Sequence, residues 1–428
     1  MNAGVETSPA WSFRLHVLAA IVVMLGGIWA SSGTMAPYAT TLDSPVPYPP
    51  CGYLMNIDHA HFEGTWLFLI DYSRDAWESS VVLRRMLFPL LAYPLMKQLG
   101  FIAGGIFTSA ILQVIALLAL AMHLRRTAGN RGAVVATWLL ATSPGVTYWA
   151  GLPYSYAIIV PGTVFCLILL SVVERAPSAI KSVAACLGIG ILATGYDFLP
   201  MFGVAALLIL AMRRRFAWLP AAAVCLIVPT LVVLLWIKAH GVAPSNANLD
   251  IYGNIMRAWL HPDRLREWLD LIGSVPTTAL VTFLYANFIF LPVLFLVCVS
   301  LNALQKKASF TMADLAIWGA ALAAFLFVNA APPSEGVQIR GTGFPRLYQP
   351  LFAAMLPFIA RYVQNTGRAV WASAAAALLG ASVCYGAILH NPITGPIYIR
   401  FYRHAAAGSY ERNLAKYGRH PFGDCKRG

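Results

Sequence analysis

One pattern recurs along this chain and leaves few folds open: apolar runs about as long as a membrane is thick, separated by short basic clusters. Phe101 to Met122 passes 22 residues without a charge, and Leu219 to Ile237 passes 19. A hydrocarbon core of about 30 Å takes about 20 residues in helical form. Lipid offers no partners to backbone N–H and C=O groups, so a crossing segment must be a helix or a strand of a closed barrel. These runs lack the apolar–polar alternation of barrel strands. Charged residues are only 11% of the 428, against about 25% in a soluble domain. The expected fold class is therefore an all-α polytopic membrane protein.

Hydropathy places candidate spans at 13–31, 101–122, 133–150, 155–173, 180–195, 199–212, 217–237, 276–303, 312–331, 347–363 and 369–389, about eleven transmembrane helices. The first run, Phe13 to Trp29, is too long and too lightly charged at its start for a typical signal peptide, and reads as a retained helix. The net charge of +13 does not point to nucleic acid, because the basic residues stand mostly in short inter-span clusters. With a cytoplasmic N-terminus the inner loops carry Arg125, Arg126 and Arg131; Arg175 and Lys181; Arg213, Arg214 and Arg215; Lys306 and Lys307; Arg361 and Arg368. Each is basic, as the positive-inside rule requires. The outer side then receives a long first loop, about 32–100, the turns near Leu152 and Tyr196, the stretches 238–275 and 332–346, and a basic tail, 391–428. The tail's Arg400, Arg403, Arg412, Lys416, Arg419, Lys426 and Arg427 run against that rule, although orientation is set mainly by short loops near helix ends. Cys51 and Cys425 both fall in outer segments, where they are either a disulfide in an oxidising compartment or two unrelated thiols.

The outer segments hold most of the chemically interesting side chains. The first opens with SPVPYPPCGY, whose prolines forbid a continuous helix, and continues NIDHAHFEGTWLFLI, where Ala60 to Ile70 suits a short interfacial helix. Then comes LRRMLFPLLAYP, Leu83 to Pro94, too short and too Pro-broken to span, hence interfacial or re-entrant. Two readings of its twin arginines, Arg84 and Arg85, stand side by side: a guanidinium fork matched to a lipid phosphate, or snorkelling anchors of a helix end. Asp197, in TGYDFLP, lies between two apolar runs; an acid there is a functional candidate by default or a cap for the following helix. Arg340 and Arg346, in VQIRGTGFPRLYQP, straddle a Gly-rich turn that either binds phosphate or is an ordinary interfacial loop. His59 and His61 flank Asp58 closely enough to resemble metal ligands, but two histidines and one acid are few for a site, and hydrogen-bonding roles compete. No GxxxxGK[ST], GxSxG, HExxH or paired CxxC occurs, so nucleotide, serine and zinc hydrolysis are unsupported. No internal repeat stands out, which counts against inverted-repeat transporters.

Taken in order, several stretches resemble bacterial multispanning glycosyltransferases of the GT-C superfamily: Asp58 followed by RRMLFPLLAYP; TSPGVTYWAGLPYSYAIIV from Thr142; ILATGYDFLPMFGVAALLIL from Ile191; and FPRLYQPLFAAMLPFIARY from Phe344. Together they cover roughly residues 13 to 390, within a GT-C-like transmembrane domain expected over 1–390. The resemblance implies an inverting transferase on the extracytoplasmic face of the cytoplasmic membrane, moving a hexosyl or pentosyl group from a polyprenyl-phosphate-linked sugar to a glycan, lipid or protein acceptor. It implies Asp58 as the catalytic acid and Arg84, Arg85 and Arg346, with Arg340 beside them, as donor-phosphate ligands. Asp197 is a candidate second acid; His59, His61, Tyr154 and Tyr348 are candidate substrate contacts. Some relatives use a divalent cation, for which this sequence assigns no ligand set. The implied roles make chemical sense: a carboxylate takes the proton of an attacking hydroxyl, and guanidinium groups stabilise charge gathering on a leaving phosphate. Two departures stand out. NIDHAHF lacks the Gly-rich neighbours common in relatives, and Tyr156 in PYSYA occupies a place where relatives often carry an acid.

Two other classes use the same arginines. A transporter or flippase for lipid-linked sugars would need polar residues along a path through the bundle, yet the inner halves of the spans are almost free of acids. A non-catalytic subunit of an envelope-polysaccharide assembly complex would tolerate Asp58→Asn, whereas an enzyme would not.

Overall fold

The computed structural model describes residues 10–40, 85–99, 101–143, 146–147, 150–151, 155–196, 199–239, 290–306, 308–329 and 349–366. Among them are eleven α-helices and no strand: α1 Ala10–Thr40, α2 Leu87–Leu99, α3 Phe101–Thr127, α4 Asn130–Ala141, α5 Ile159–Arg175, α6 Ala179–Ala193, α7 Pro200–Met212, α8 Leu219–Ala239, α9 Phe290–Gln305, α10 Met312–Asn329 and α11 Gln349–Gln364. Short 3-10 turns at Ser155–Ile158 and Phe216–Trp218 lead into α5 and α8. Ten of the predicted spans coincide wholly or partly with these helices. The eleventh, 369–389, lies outside the described residues, as do residues 41–84 of the first loop, the tail 391–428, Cys51 and Cys425.

Three helical stretches, Ser12–Trp29, Ala103–Thr127 and Phe216–Ala239, are long and apolar enough to cross a membrane. Both faces of these helices are apolar, and packing alone distinguishes them. On α1 Phe13, Val17, Ala20, Met24 and Ile28 are buried at helical spacing, while Leu15, Leu18, Val22, Val23 and Trp29 are exposed. On α3 Ala116, Leu117, Leu120, Ala121 and Leu124 face inward, and Phe107, Ile111, Ile115, Leu118 and Met122 outward. A soluble bundle would be polar on the outward face; here the partner of that face is lipid.

The sequence reading needs two corrections. The first helix continues to Thr40, so the first outer segment begins later than residue 32. The span placed at 133–150 is not one helix: α4 is 12 residues long, ends at Ala141, and gives way to a turn at Thr142 and Ser143. Ser143 precedes a proline in the sequence, and the residue before proline is pushed out of the helical region.

Two buried clusters organise the bundle. One joins α1, α3, α4, α9 and α11; the other joins α2, the 155–158 turn, α6, α7 and α10. α5 contributes to both, through Val160 and Val164 on one side and Cys166, Leu170 and Val173 on the other. It touches α3, α6, α7, α10 and α11 and is the central helix. α8 packs chiefly along α6. Gly190 permits that approach, because a Cβ there would stand 2.7 Å from the carbonyl oxygens of Cys225 and Leu226. Small residues play this part where two helices in lipid close on one another. Stacked rings of Phe295 on Trp318 (4.3 Å) and Phe310 on Phe358 (4.6 Å) knit α9, α10 and α11.

Among the described residues, several of the predicted inner-loop cations lie at one end of the bundle, tied into it by polar contacts. Arg131 donates to the Thr366 carbonyl at 2.9 Å and Gln364 accepts from the Gly132 N–H at 3.1 Å, joining α4 to the end of α11. Arg215 donates to the Val173 carbonyl at 3.3 Å. Glu174 accepts from the Met312 N–H at 3.2 Å and lies 3.6 Å from Arg213. Thr311 and Asp314 form a reciprocal cap on α10: Asp314 accepts from the Thr311 N–H at 2.7 Å, and Thr311 Oγ1 accepts from the Asp314 N–H at 3.1 Å. This is the capping-box arrangement, with Asp in place of Glu. Arg361 on α11 then forms an ion pair with Asp314. The alternation of basic loops read from the sequence is thus expressed as one basic end.

Candidate active site

At the other end of α5 the fold brings together three of the stretches singled out in the sequence. Arg85 directly precedes α2, whose first turn closes where the Leu90 N–H donates to the Met86 carbonyl at 2.9 Å. The helix is 13 residues long, about 20 Å at 1.5 Å per residue, and so too short to span, as its prolines suggested. It runs back along α3, with Gly104 against the backbone of Leu95 and Met96.

The second stretch is the end of α6. The helix unwinds through tight turns, with the Thr194 N–H donating to Ile191 at 3.1 Å and the Gly195 N–H to Leu192 at 2.9 Å. Pro200 starts α7 at a position where its missing N–H is not needed. Between them Tyr196, only 1% exposed, presents its ring beneath Arg85, the guanidinium carbon standing 4.8 Å from the ring centroid. A guanidinium over an aromatic face is held by about 0.5–1 kcal/mol when exposed and about 2 when desolvated. Arg85 is half-buried, so its head group is fixed in direction, unlike a freely snorkelling arginine.

The third stretch is the turn Ser155–Ile158 from PYSYA, which packs on α2 and α3. Gln113 donates its Nε2–H to the Ala157 carbonyl at 3.0 Å. Gln113 is buried within a charge-free stretch of α3, where an amide without a partner would be costly. The same turn meets the end of α6: a Cβ on Gly195 would stand 3.2 Å from Ile158 Cγ2. Arg85, the Gln113–Ala157 bond and the Tyr196 ring thus belong to one locus, and the residue after Tyr196 in the sequence is Asp197.

Of the residues expected at the site, Arg85 is the one described. Asp58, His59, His61, Arg84, Tyr154, Asp197, Arg340, Arg346 and Tyr348 lie outside the described residues. Sequence reasoning missed Tyr196 and Gln113. Tyr196 stood inside the quoted TGYDFLP, overshadowed by the neighbouring acid. Gln113 was visible as a lone amide within a charge-free span, which in a membrane helix signals a specific partner. Among the described residues no three His, Cys, Asp or Glu side chains are grouped as metal ligands.

No protein-family model matches the chain, and no curated protein matches it in sequence. Among solved structures, that of ArnT from Cupriavidus metallidurans bound to undecaprenyl phosphate superposes with a TM-score of 0.56 at 14% identity, covering 96% of this chain and 73% of that one. The chain shares the fold of that structure, and its described part is all-helical with membrane-length apolar helices, as its sequence led one to expect.

Proposed function

We propose that this chain is a membrane glycosyltransferase that takes a sugar from a polyprenyl-phosphate donor and passes it to an acceptor hydroxyl. The observation that carries the reading is the superposition, over nearly the whole chain, on a structure holding undecaprenyl phosphate. The stacked Arg85 supports it, because a guanidinium with fixed direction suits a phosphate oxygen better than a mobile ammonium would. The proposed locus lies on the extracytoplasmic side of the inner membrane, opposite the basic end that the positive-inside rule assigns to the cytoplasm.

In the proposed reaction the acceptor oxygen attacks the anomeric carbon from the face opposite the phosphate. The bond between that carbon and the phosphate oxygen breaks, and its electron pair leaves with the polyprenyl phosphate. The acceptor hydroxyl gives its proton to the Asp58 carboxylate, acting as general base. One bond is formed and one broken at the same carbon, so configuration inverts. Arg84, Arg85, Arg340 and Arg346 neutralise the charge that grows on the departing phosphate, an interaction stronger in the transition state than in the bound donor.

The test is a transfer assay with the full chain in proteoliposomes, a panel of polyprenyl-phosphate sugars and a membrane extract as acceptor source, read as labelled product. Transfer by the wild type that collapses in Asp58→Asn while donor binding persists supports the assignment. Transfer that survives Asp58→Asn removes Asp58 as the base. Donor crossing the bilayer without product would replace the transferase reading with a flippase.

A further inference from the structure

The basic end contains a cluster that the proposed transfer reaction does not use. His123 on α3 and Ser171 on α5 are hydrogen-bonded at 3.3 Å, and Ser171 also donates to the Leu167 carbonyl at 3.2 Å. That contact fixes which faces of α3 and α5 meet. Three residues beyond His123 stands Arg126, and four beyond Ser171 stands Arg175. Those are the spacings that return a side chain to the same helix face one turn later. Both helices end here and pack on one another, so Arg126 and Arg175 lie at adjacent helix ends. Arg361 arrives from α11, which packs on both α3 and α5. The charges of Arg175, Arg361 and Arg126 all act on the His123 ring.

Charge accounting leaves the cluster unsatisfied. Nearby acids are already engaged: Glu174 is occupied by Arg213 and the α10 backbone, and Asp314 by Thr311 and Arg361. Arg361 has a buried Nε without a hydrogen-bond partner, a feature that calls for an explanation in a folded protein. Arg126 and Arg175 are exposed. The C-terminal dipoles of α3 and α5 favour cations there, but each supplies only about half a charge. Three arginines on the helix ends around a hydroxyl–imidazole pair at a membrane face match the basic inter-helix pockets that take phosphate headgroups. A phosphate offers several acceptor oxygens to such forks.

We propose that Arg126, Arg175 and Arg361, grouped about the Ser171–His123 pair, form a binding site for the phosphate of an anionic lipid headgroup at the basic end of the bundle. This site is separate from the Arg85 locus and stands whether or not the chain transfers sugar. The membrane itself supplies the occupant, and the site locks the ends of α3, α5 and α11 together across one shared anion.

The experiment is native mass spectrometry of the full chain from detergent, delipidated and offered phosphatidylglycerol or phosphatidylcholine, with inorganic phosphate in a parallel thermal-shift titration. The wild type is expected to retain phosphatidylglycerol and not phosphatidylcholine. Arg126→Gln/Arg175→Gln should lower that retention at least roughly tenfold, two charge-assisted contacts being lost. Lys181→Gln/Arg214→Gln removes the same number of exposed cations from the same end, so it should retain the lipid. Equal loss in both double variants would mean general charge attraction and would overturn the site, as would full retention in Arg126→Gln/Arg175→Gln. Stabilisation by inorganic phosphate that depends on Arg126 and Arg175, without lipid retention, would keep the phosphate site and assign it to a free anion. If the double variant does not fold, Arg175→Gln alone carries the same comparison with a smaller expected drop.

Discussion

Replacing Asp314 by Asn tests the account of the basic end most directly, because the change keeps size and one acceptor oxygen while removing the charge. The Asp314 side chain is 5% exposed and that of its partner Arg361 16%, so solvent screens the pair weakly. Its carboxylate also accepts from the Thr311 N–H at 2.7 Å and from the Thr311 hydroxyl at 2.8 Å. Breaking a buried ion pair by removing one partner costs about 3–5 kcal/mol, since the other charge is left uncompensated. The cap contributes about 1 kcal/mol, and Asn keeps part of it, so the charge decides the outcome. At 1.4 kcal/mol per decade, a loss of about 3 kcal/mol raises the unfolded fraction roughly a hundredfold. Equilibrium unfolding in mixed micelles, titrated with a denaturing detergent, reads this directly. Arg361→Met alone should also destabilise, and Asp314→Asn/Arg361→Met should cost clearly less than the sum, because no orphan charge remains. If Asp314→Asn costs under about 1 kcal/mol, or if the two changes simply add, the pair is solvated and the description of this end as a buried latch is wrong.

Three further outcomes follow from the other contacts. Gln113→Leu leaves the Ala157 carbonyl without its donor and should cost about 1–3 kcal/mol, measured by the same unfolding titration. Gly190→Ala places a methyl 2.7 Å from two rigid carbonyl oxygens, whereas at Gly203 the nearest atom to an added Cβ is Leu226 Cδ2 at 3.2 Å, the end of a flexible side chain. Gly190→Ala should therefore destabilise by about 1–3 kcal/mol and Gly203→Ala far less; equal effects would remove the close approach of α6 and α8. On the proposed transfer reaction, Tyr196→Phe should keep the surface under Arg85, while Tyr196→Leu should raise the donor KM about 3- to 30-fold, the worth of a partly desolvated cation–π contact. A Tyr196→Leu enzyme with unchanged KM would separate the stack from donor binding.

Membrane class and helix positions were legible in the sequence because both follow from one-dimensional counts. A run such as Phe101 to Met122 has only one way to satisfy its backbone in lipid, so its structure needs no knowledge of neighbours. Helix ends were less legible where local chemistry competes with hydropathy, as at Ser143, where the pre-proline position stops α4 inside an apolar stretch. Which apolar face packs inward was harder to read. In water the polar face marks the outside of a helix, whereas α3 turns Phe107, Ile111, Ile115, Leu118 and Met122 outward, and its few polar residues Thr108, Ser109 and Gln113 lie on the buried side.

The candidate site follows the same logic with a different result. Arg85 attracted attention because a charge near lipid is expensive, and expense is visible in sequence. What orients it was not visible, since Tyr196 is a residue type common in any membrane-flanking turn and lies more than a hundred positions away. The geometry turns a list of costly residues into a locus by supplying their inexpensive partners: an aromatic ring under Arg85, a carbonyl for Gln113, a glycine where Ile158 must come close. The basic end shows the converse. There the costs were equally visible, and Glu174, Asp314 and Thr311 answer several of them, but among the described residues no acid pairs with Arg126 or Arg175. With that end taken as cytoplasmic, as proposed, the positive-inside tendency accounts for arginines there. It does not explain why two of them share the faces fixed by the Ser171–His123 bond, beside a third whose Nε is buried without a partner. That residue of unmet electrostatic demand points to an occupant from outside the chain, and the lipid-retention comparison decides it.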